Sequence, residues 1–374
     1  MNNKLSNLYD LISNPFADPT IWVRILQTYL SSNHESFYNS LISTEKVDEL
    51  DRPKYLNEFY IHICMPFMSY RILNMKKDDR LLKSCQEEFD IYHKGISLKE
   101  LFEINDLKSL VSFLRANYLE LREKVGRACL YRDDKKLFEK YYRESNATER
   151  DIIIFDLFNL LTETSSDGDS MGFHVNPNKI GEIDRPLEEN ELKFYINAGV
   201  DTFRVAEMIW QQCIKQSINY RFKVVNPLRA GDEVSRPDRL CIYMKTEHAP
   251  IFYSMLNKIK NEHPEIKFLN PPMLTGRLCG FIGVGSDPEN TSYNYLQCSI
   301  LEKAVKKVFG DVSKSEIAIQ VDLNPNKLRE FREAVIGLQI ENGFDPNKTC
   351  IPANRIASLK RIMIPSFDDD RMLG

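Results

Sequence analysis

Two cations, Arg221 and Lys223, stand two residues apart in the run Tyr220-Arg221-Phe222-Lys223-Val224. In an extended strand residues two apart share a face, so both charges emerge together while Phe222 and Val224 point the other way. A second run divides in the same manner: Arg239, Cys241, Tyr243 and Lys245 fall on one side, Leu240, Ile242 and Met244 on the other. The connection over 225–240 is rich in turn formers, which predicts that the two strands are antiparallel neighbours. A third run adds Tyr195 and Asn197 opposite Phe194 and Ile196. The spacing therefore predicts a cationic platform of Arg221, Lys223, Arg239, Tyr243 and Lys245. Cations facing one another on paired strands repel unless an anion joins them. A phosphate is the natural guest, with Arg giving forked hydrogen bonds and Lys a point charge. A lysine among other cations also has its pKa lowered, which would let it act as a base. The same pattern also fits the solvated face of a half-covered sheet, its charges paired with Asp232, Glu233 and Asp238.

Other motifs offer less. Gly280-Phe281-Ile282-Gly283-Val284-Gly285 has reversed spacing for a dinucleotide loop, and Ser286-Asp287-Pro288 follows where a helix should begin. No phosphate loop, kinase catalytic loop, zinc-protease helix or nucleophile elbow occurs. The six histidines show no metal-ligand spacing with the cysteines, so no metal and no cofactor are expected. His174 and His248 read as surface residues and Trp210 as core. The eight cysteines are scattered with no CxxC, which fits reduced thiols and a cytoplasmic chain.

The elements that must position the platform follow from pattern. The chain has 374 residues, 28% of them charged, with net charge −4, which points to two compact units or one large one with a helical annex. That balance excludes a wholly disordered chain and argues against a nucleic-acid binder held by bulk charge. No apolar run reaches membrane-spanning length and no signal sequence is visible, so neither nucleic acid nor membrane is an expected partner. Apolar residues at three- and four-residue intervals predict helices over 20–30, 54–73 and 98–130, and Thr148 with Asp151 looks like a further helix start. Turn formers crowd 164–184. Beyond them, period-two runs predict strands over 193–197, 221–225, 240–245 and 279–284. Between them lie three apolar helix stripes, centred on Ile209 and Trp210, on Met255, and on Ile300 and Leu301. A last strand over 317–321, a helix over 327–338 and an irregular tail complete the pattern. The expected fold class is α+β: an α-helical domain (1–163), a connecting loop (164–190), a mostly antiparallel sheet with helices packed on one face (191–345), and an irregular C-terminal tail (346–374).

The blocks Phe194-Tyr195-Ile196-Asn197, Tyr220-Arg221-Phe222-Lys223-Val224, Arg236-Pro237-Asp238-Arg239-Leu240-Cys241-Ile242-Tyr243, Asn270-Pro271-Pro272, Gly280 to Gly285 and Glu289-Asn290-Thr291-Ser292-Tyr293 resemble the HopA-type family of bacterial type III effectors. That family is similar in turn to the lyase components of class V lanthipeptide synthetases, and the blocks match over 194–304. The resemblance implies a HopA-like lyase domain that eliminates phosphate from phosphoserine or phosphothreonine of a ribosomal precursor peptide, with separate kinase and cyclase components as partners. It implies Lys223 or Lys245 as base, Arg221 and Arg236 on phosphate, with Arg239 beside them, and Asn197 or Tyr243 donating to the carbonyl. Asp238 would either touch substrate or lock Arg236 in place. The chain departs from the family at Ser292-Tyr293-Asn294, where a small-aromatic-Gly turn is usual, and at Gln297, where an arginine is usual. Lys223 stands where the pathogen lyases carry a catalytic histidine. Two other readings stay open: a non-catalytic effector-like module binding a phosphorylated or acidic protein partner, and a scaffold whose helical half makes the contacts.

Overall fold

The computed structural model describes residues 5–42, 58–66 with a few positions on either side between 54 and 77, 104–116, 173–175, 191–218, 220–225, 236–287 and 291–365. The strands are β1 (Leu5–Asn7), β2 (Phe173–Val175), β3 (Glu191–Ile196), β4 (Tyr220–Val224), β5 (Leu240–Lys245), β6 (Gly276–Leu278), β7 (Ile282–Gly285), β8 (Phe344–Asp345), β9 (Lys348–Pro352) and β10 (Met363–Pro365). The helices are α1 (Leu8–Leu11), α2 (Thr20–Ser31), α3 (Phe37–Ile42), α4 (Leu107–Ala116), α5 (Thr202–Lys215), α6 (Ala249–Glu262), α7 (Tyr293–Phe309), α8 (Lys314–Leu323), α9 (Asn326–Glu341) and α10 (Ile356–Arg361). The architecture is α+β. The helix start at Thr148 and most of the helix expected over 98–130 lie outside the described residues.

Six strands form the central sheet in the order β2-β4-β5-β3-β7-β6, each neighbour antiparallel to the next. The period-two runs over 193–197, 221–225 and 240–245 fold as β3, β4 and β5, while the run 279–284 is corrected to a turn over 279–281 that leads into β7; the expected pairing of the two cationic strands is present as β4 against β5. Alternation places Phe222, Val224, Leu240, Ile242, Met244, Leu192, Phe194 and Ile196 on one face, all buried. Helices α5 and α6 cover this apolar face: the Tyr220 hydroxyl donates to the Trp210 carbonyl at 3.4 Å, and the Phe194 and Phe252 rings lie 4.9 Å apart.

The glycine-rich run is a hairpin. Its turn places Cys279 (φ 56) and Gly280 (φ 76) in the left-handed region between β6 and β7, as a tight hairpin turn requires. Within β7, a Cβ at Gly283 would come within 2.8 Å of the Pro271 Cβ, and one at Gly285 within 2.9 Å of the Tyr293 ring. The missing side chains let the 271 loop and the start of α7 close onto the sheet from the side opposite α5 and α6.

Three further expectations are corrected. The segment 317–321 is helical, within α8, because Ser313 and Glu316 form a reciprocal cap: the Glu316 N–H donates to Ser313 Oγ at 3.3 Å and the Ser313 N–H to Glu316 Oε2 at 2.8 Å. The tail expected to be irregular from 346 carries β9, α10 and β10 as far as 365. The connecting loop 164–190 contains β2, the edge strand beside β4. The first described residues pack against the last described ones. β1 pairs with β10, Lys348 Nζ donates to the Ile12 carbonyl at 2.6 Å, and one hydrophobic core runs from Leu8 and Trp22 through the sheet helices to Ile364.

Candidate functional site

Register converts the alternation of the second sheet face into rows. One row crosses all six strands as His174, Lys223, Cys241, Tyr195, Gly283 and Arg277. The next row runs Arg221, Tyr243, Lys193 and Gly285, and beyond it Lys245 lies across from Glu191. Lys223 and Lys245 therefore stand on opposite flanks of the Arg221–Tyr243 row. Lys245 is four residues along β5 from the partner of Lys223, about 13 Å at the rise of a strand.

The middle row is an aromatic ring between two cations. The Arg221 guanidinium lies 4.4 Å from the centroid of Tyr243, and Lys193 Nζ lies 4.9 Å from the same ring. Lys193 Nζ also meets both Asp287 carboxylate oxygens at 3.1 Å. Asp287 in turn accepts from the backbone N–H of Tyr293 at 2.7 Å, at the first turn of α7. Burial works against the Lys193 charge, but Tyr195, Tyr243 and Asp287 around it outweigh that and hold its pKa above the ordinary lysine value. Lys193 is thus a fixed ammonium, not a base. Burial raises the pKa of the Tyr243 phenol and pushes the Cys241 thiol up to about 12, so both stay protonated at neutral pH.

A second cluster sits before β5. Arg236 is 2% exposed and grips Asp238 in a fork, Nε to Oδ1 and Nη2 to Oδ2, both 2.8 Å. Its Nη2 also donates to the Tyr38 hydroxyl at 3.2 Å. Burial raises the Asp238 carboxyl, but Arg236 more than offsets this and holds it below its usual pKa, with Lys223 adding to the same effect. Of the two roles open to Asp238 from sequence, the geometry shows the lock on Arg236. Arg239 Nε donates to the Arg236 carbonyl at 3.1 Å. Cys241 lies in the field of both clusters, sensing Lys193, Asp287, Asp238 and Lys223.

Of the five platform residues, Arg221 and Tyr243 are buried while Lys223, Arg239 and Lys245 are partly exposed, so the face is only partly open to solvent; Arg236 and Asn197, outside that set, are buried. Asn197 is engaged with the backbone, donating to the Asn270 carbonyl at 3.0 Å and accepting from the Gly199 N–H at 3.2 Å. It holds the end of β3 to the 270 loop. Sequence reasoning missed Lys193, Asp287 and Tyr38. Lys193 had a signal, since it stands two residues before Tyr195 and so shares its face. Gln297 is fully buried and donates to the Thr349 carbonyl at 3.1 Å, so it faces α9 and β9. No group of His, Cys, Asp and Glu among the described residues could hold a metal ion, and no described helix is long and apolar enough to cross a membrane.

No protein-family model and no curated protein matches the sequence. Solved structures similar to the chain include two effector proteins. The effector protein from Pseudomonas syringae pv. tomato strain DC3000 shares 10% identity at a TM-score of 0.42, over 90% of this chain and 98% of its own. The effector protein from Pseudomonas syringae pv. syringae strain 61 shares 14% identity at a TM-score of 0.33, over 63% of this chain and 82% of its own.

Proposed function

We propose that the polar sheet face is a phosphate-handling site and that the chain eliminates phosphate from phosphoserine or phosphothreonine in a peptide. The observation that carries this reading is the row Arg221, Tyr243, Lys193 flanked by Lys223: a guanidinium, a protonated phenol, a lysine ammonium and a second lysine on one side of an antiparallel sheet. Phosphate departure needs positive charge, the developing carbanion needs a donor at the adjacent carbonyl, and the α-proton needs a base. Arg221 takes the phosphate and Tyr243 donates to the carbonyl. Lys223 takes the α-proton while the Cβ–O electron pair leaves with phosphate and a carbon–carbon double bond forms. Lys245, on the far flank beside Glu191, orients the peptide rather than the reacting bond. The precursor peptide and separate kinase and cyclase components are the partners this chemistry calls for.

The test is mass spectrometry of a phosphothreonine peptide incubated with the purified chain. Elimination is expected with the intact protein and is lowered roughly 100-fold or more in Lys223→Ala, the smaller end of what a general base contributes. A peptide that binds and is never converted would turn the reading to its second form, a module that holds a phosphorylated or acidic partner. The observation favouring that form is that Arg236 and Lys193 are already committed to carboxylates.

A further inference from the structure

The fork of Arg236 is fully used on one edge and not on the other. Nε and Nη2 face Asp238, and Nη2 spends its second hydrogen on Tyr38. Nη1, with two N–H donors, is buried and has no partner among the described residues. A guanidinium is planar, so gripping the Nε–Nη2 edge turns Nη1 to the side away from Asp238. Leaving such a donor unmade costs free energy that a bound acceptor would recover. Tyr38 comes from α3, far back in the chain; two contacts hold that helix and a third holds the α2 residue it stacks on. The Phe37 N–H donates to Glu302 Oε1 at 3.1 Å, the Phe37 ring stacks on Tyr29 at 4.1 Å, and Lys314 Nζ donates to the Tyr29 carbonyl at 2.7 Å. On its outer side the Tyr38 ring meets Tyr295 edge-on at 6.3 Å, and Tyr295 is 61% exposed, so Arg236 lies one ring in from a solvent-facing aromatic.

We infer that Tyr38 is a positioning residue of the anion site: with Asp238 it holds Arg236 so that Nη1 is offered to a phosphate-type oxyanion. The inference rests on reading the polar face as an anion site, and it makes the N-terminal helices a working part of that site. Inorganic phosphate is the probe, followed through the Arg236 side-chain nitrogen resonances, which Arg236→Lys assigns by their loss. Phosphate is expected to move those resonances in the wild-type chain. Tyr38→Phe, which keeps the ring and deletes the acceptor, is expected to weaken the response about five- to tenfold, the scale of one ordinary hydrogen bond, with the circular dichroism spectrum unchanged. Arg236 resonances that ignore phosphate in the wild-type chain overturn the proposal, and so does a Tyr38→Phe response equal to wild type. Neither outcome depends on elimination: a chain that shows the phosphate response but leaves a phosphothreonine peptide intact loses the lyase reading and keeps Tyr38 in its role.

Discussion

At the scale of single residues the polar face is governed by which charges have partners. Lys193 and Asp287 are a pair shielded from water, and breaking such a pair leaves an uncompensated charge. Asp287→Asn, which keeps the acceptor for the Tyr293 N–H, should therefore lower stability by about 3–5 kcal/mol, and adding Lys193→Met should recover most of it. Chemical denaturation of the three chains measures this, and a double variant no better than the single one would sink it. Asp238 gives a pH signature. Its folded pKa is depressed, so its contribution is complete above the unfolded value near 4 and lost as pH falls through the folded one. The wild-type melting temperature should fall below about pH 4 more steeply than that of Asp238→Asn. The thiols run the other way: Cys241 and Cys350, both pushed up to about 12 by burial, remain protonated well above pH 8. Among the described cysteines, half-buried Cys279 should alkylate first at pH 8, as peptide mass mapping would show. The platform was legible in sequence because parity along a strand is local. What fixes each cation was not, since Tyr38 and Asp287 reach it across long stretches of chain.

At the scale of elements, the approach of α7 to β7 is the one most open to test. Gly285 admits the Tyr293 ring, whose hydroxyl donates to the Leu274 carbonyl at 2.5 Å and whose face the fold cannot easily move. Gly285→Ala should cost about 1–3 kcal/mol by overpacking and should pull the first turn of α7 away from Lys193 and Asp287. A thermal shift indistinguishable from wild type would show that α7 yields freely. Strand runs, their antiparallel pairing and the three helix stripes of the sheet unit were readable because each repeats within a dozen residues. Helix α8 misleads for a physical reason: Ile317, Ile319 and Val321 alternate like a strand, and Ile319 and Leu323 stay exposed, so no apolar stripe announces a helix. The signal that decides it is Ser313 with Glu316 three residues on, and Ser313→Ala should cost about 1 kcal/mol of α8.

At the scale of the whole molecule, the ends of the described chain are knit together. β1 pairs with β10, Lys348 donates to carbonyls at the end of α1, and the Tyr9 hydroxyl donates to Asp345. Deleting residues 1–13 should lower the melting temperature of the whole chain in a single transition, because the core it uncovers is continuous with the sheet. A truncated chain that melts as wild type would instead make the N-terminal segment an appendage. The pairing of β1 with β10 was not legible in the sequence, since no local pattern records which distant strand a three-residue edge will find. The β1–β10 ladder also sets an order of events during synthesis. The first described strand emerges early and has no mate until the last described strand has been made, so the nascent chain carries an open edge and uncovered apolar helices throughout translation. Such long-range pairing folds late and slowly, so the β1 edge is among the last parts of the fold to be closed.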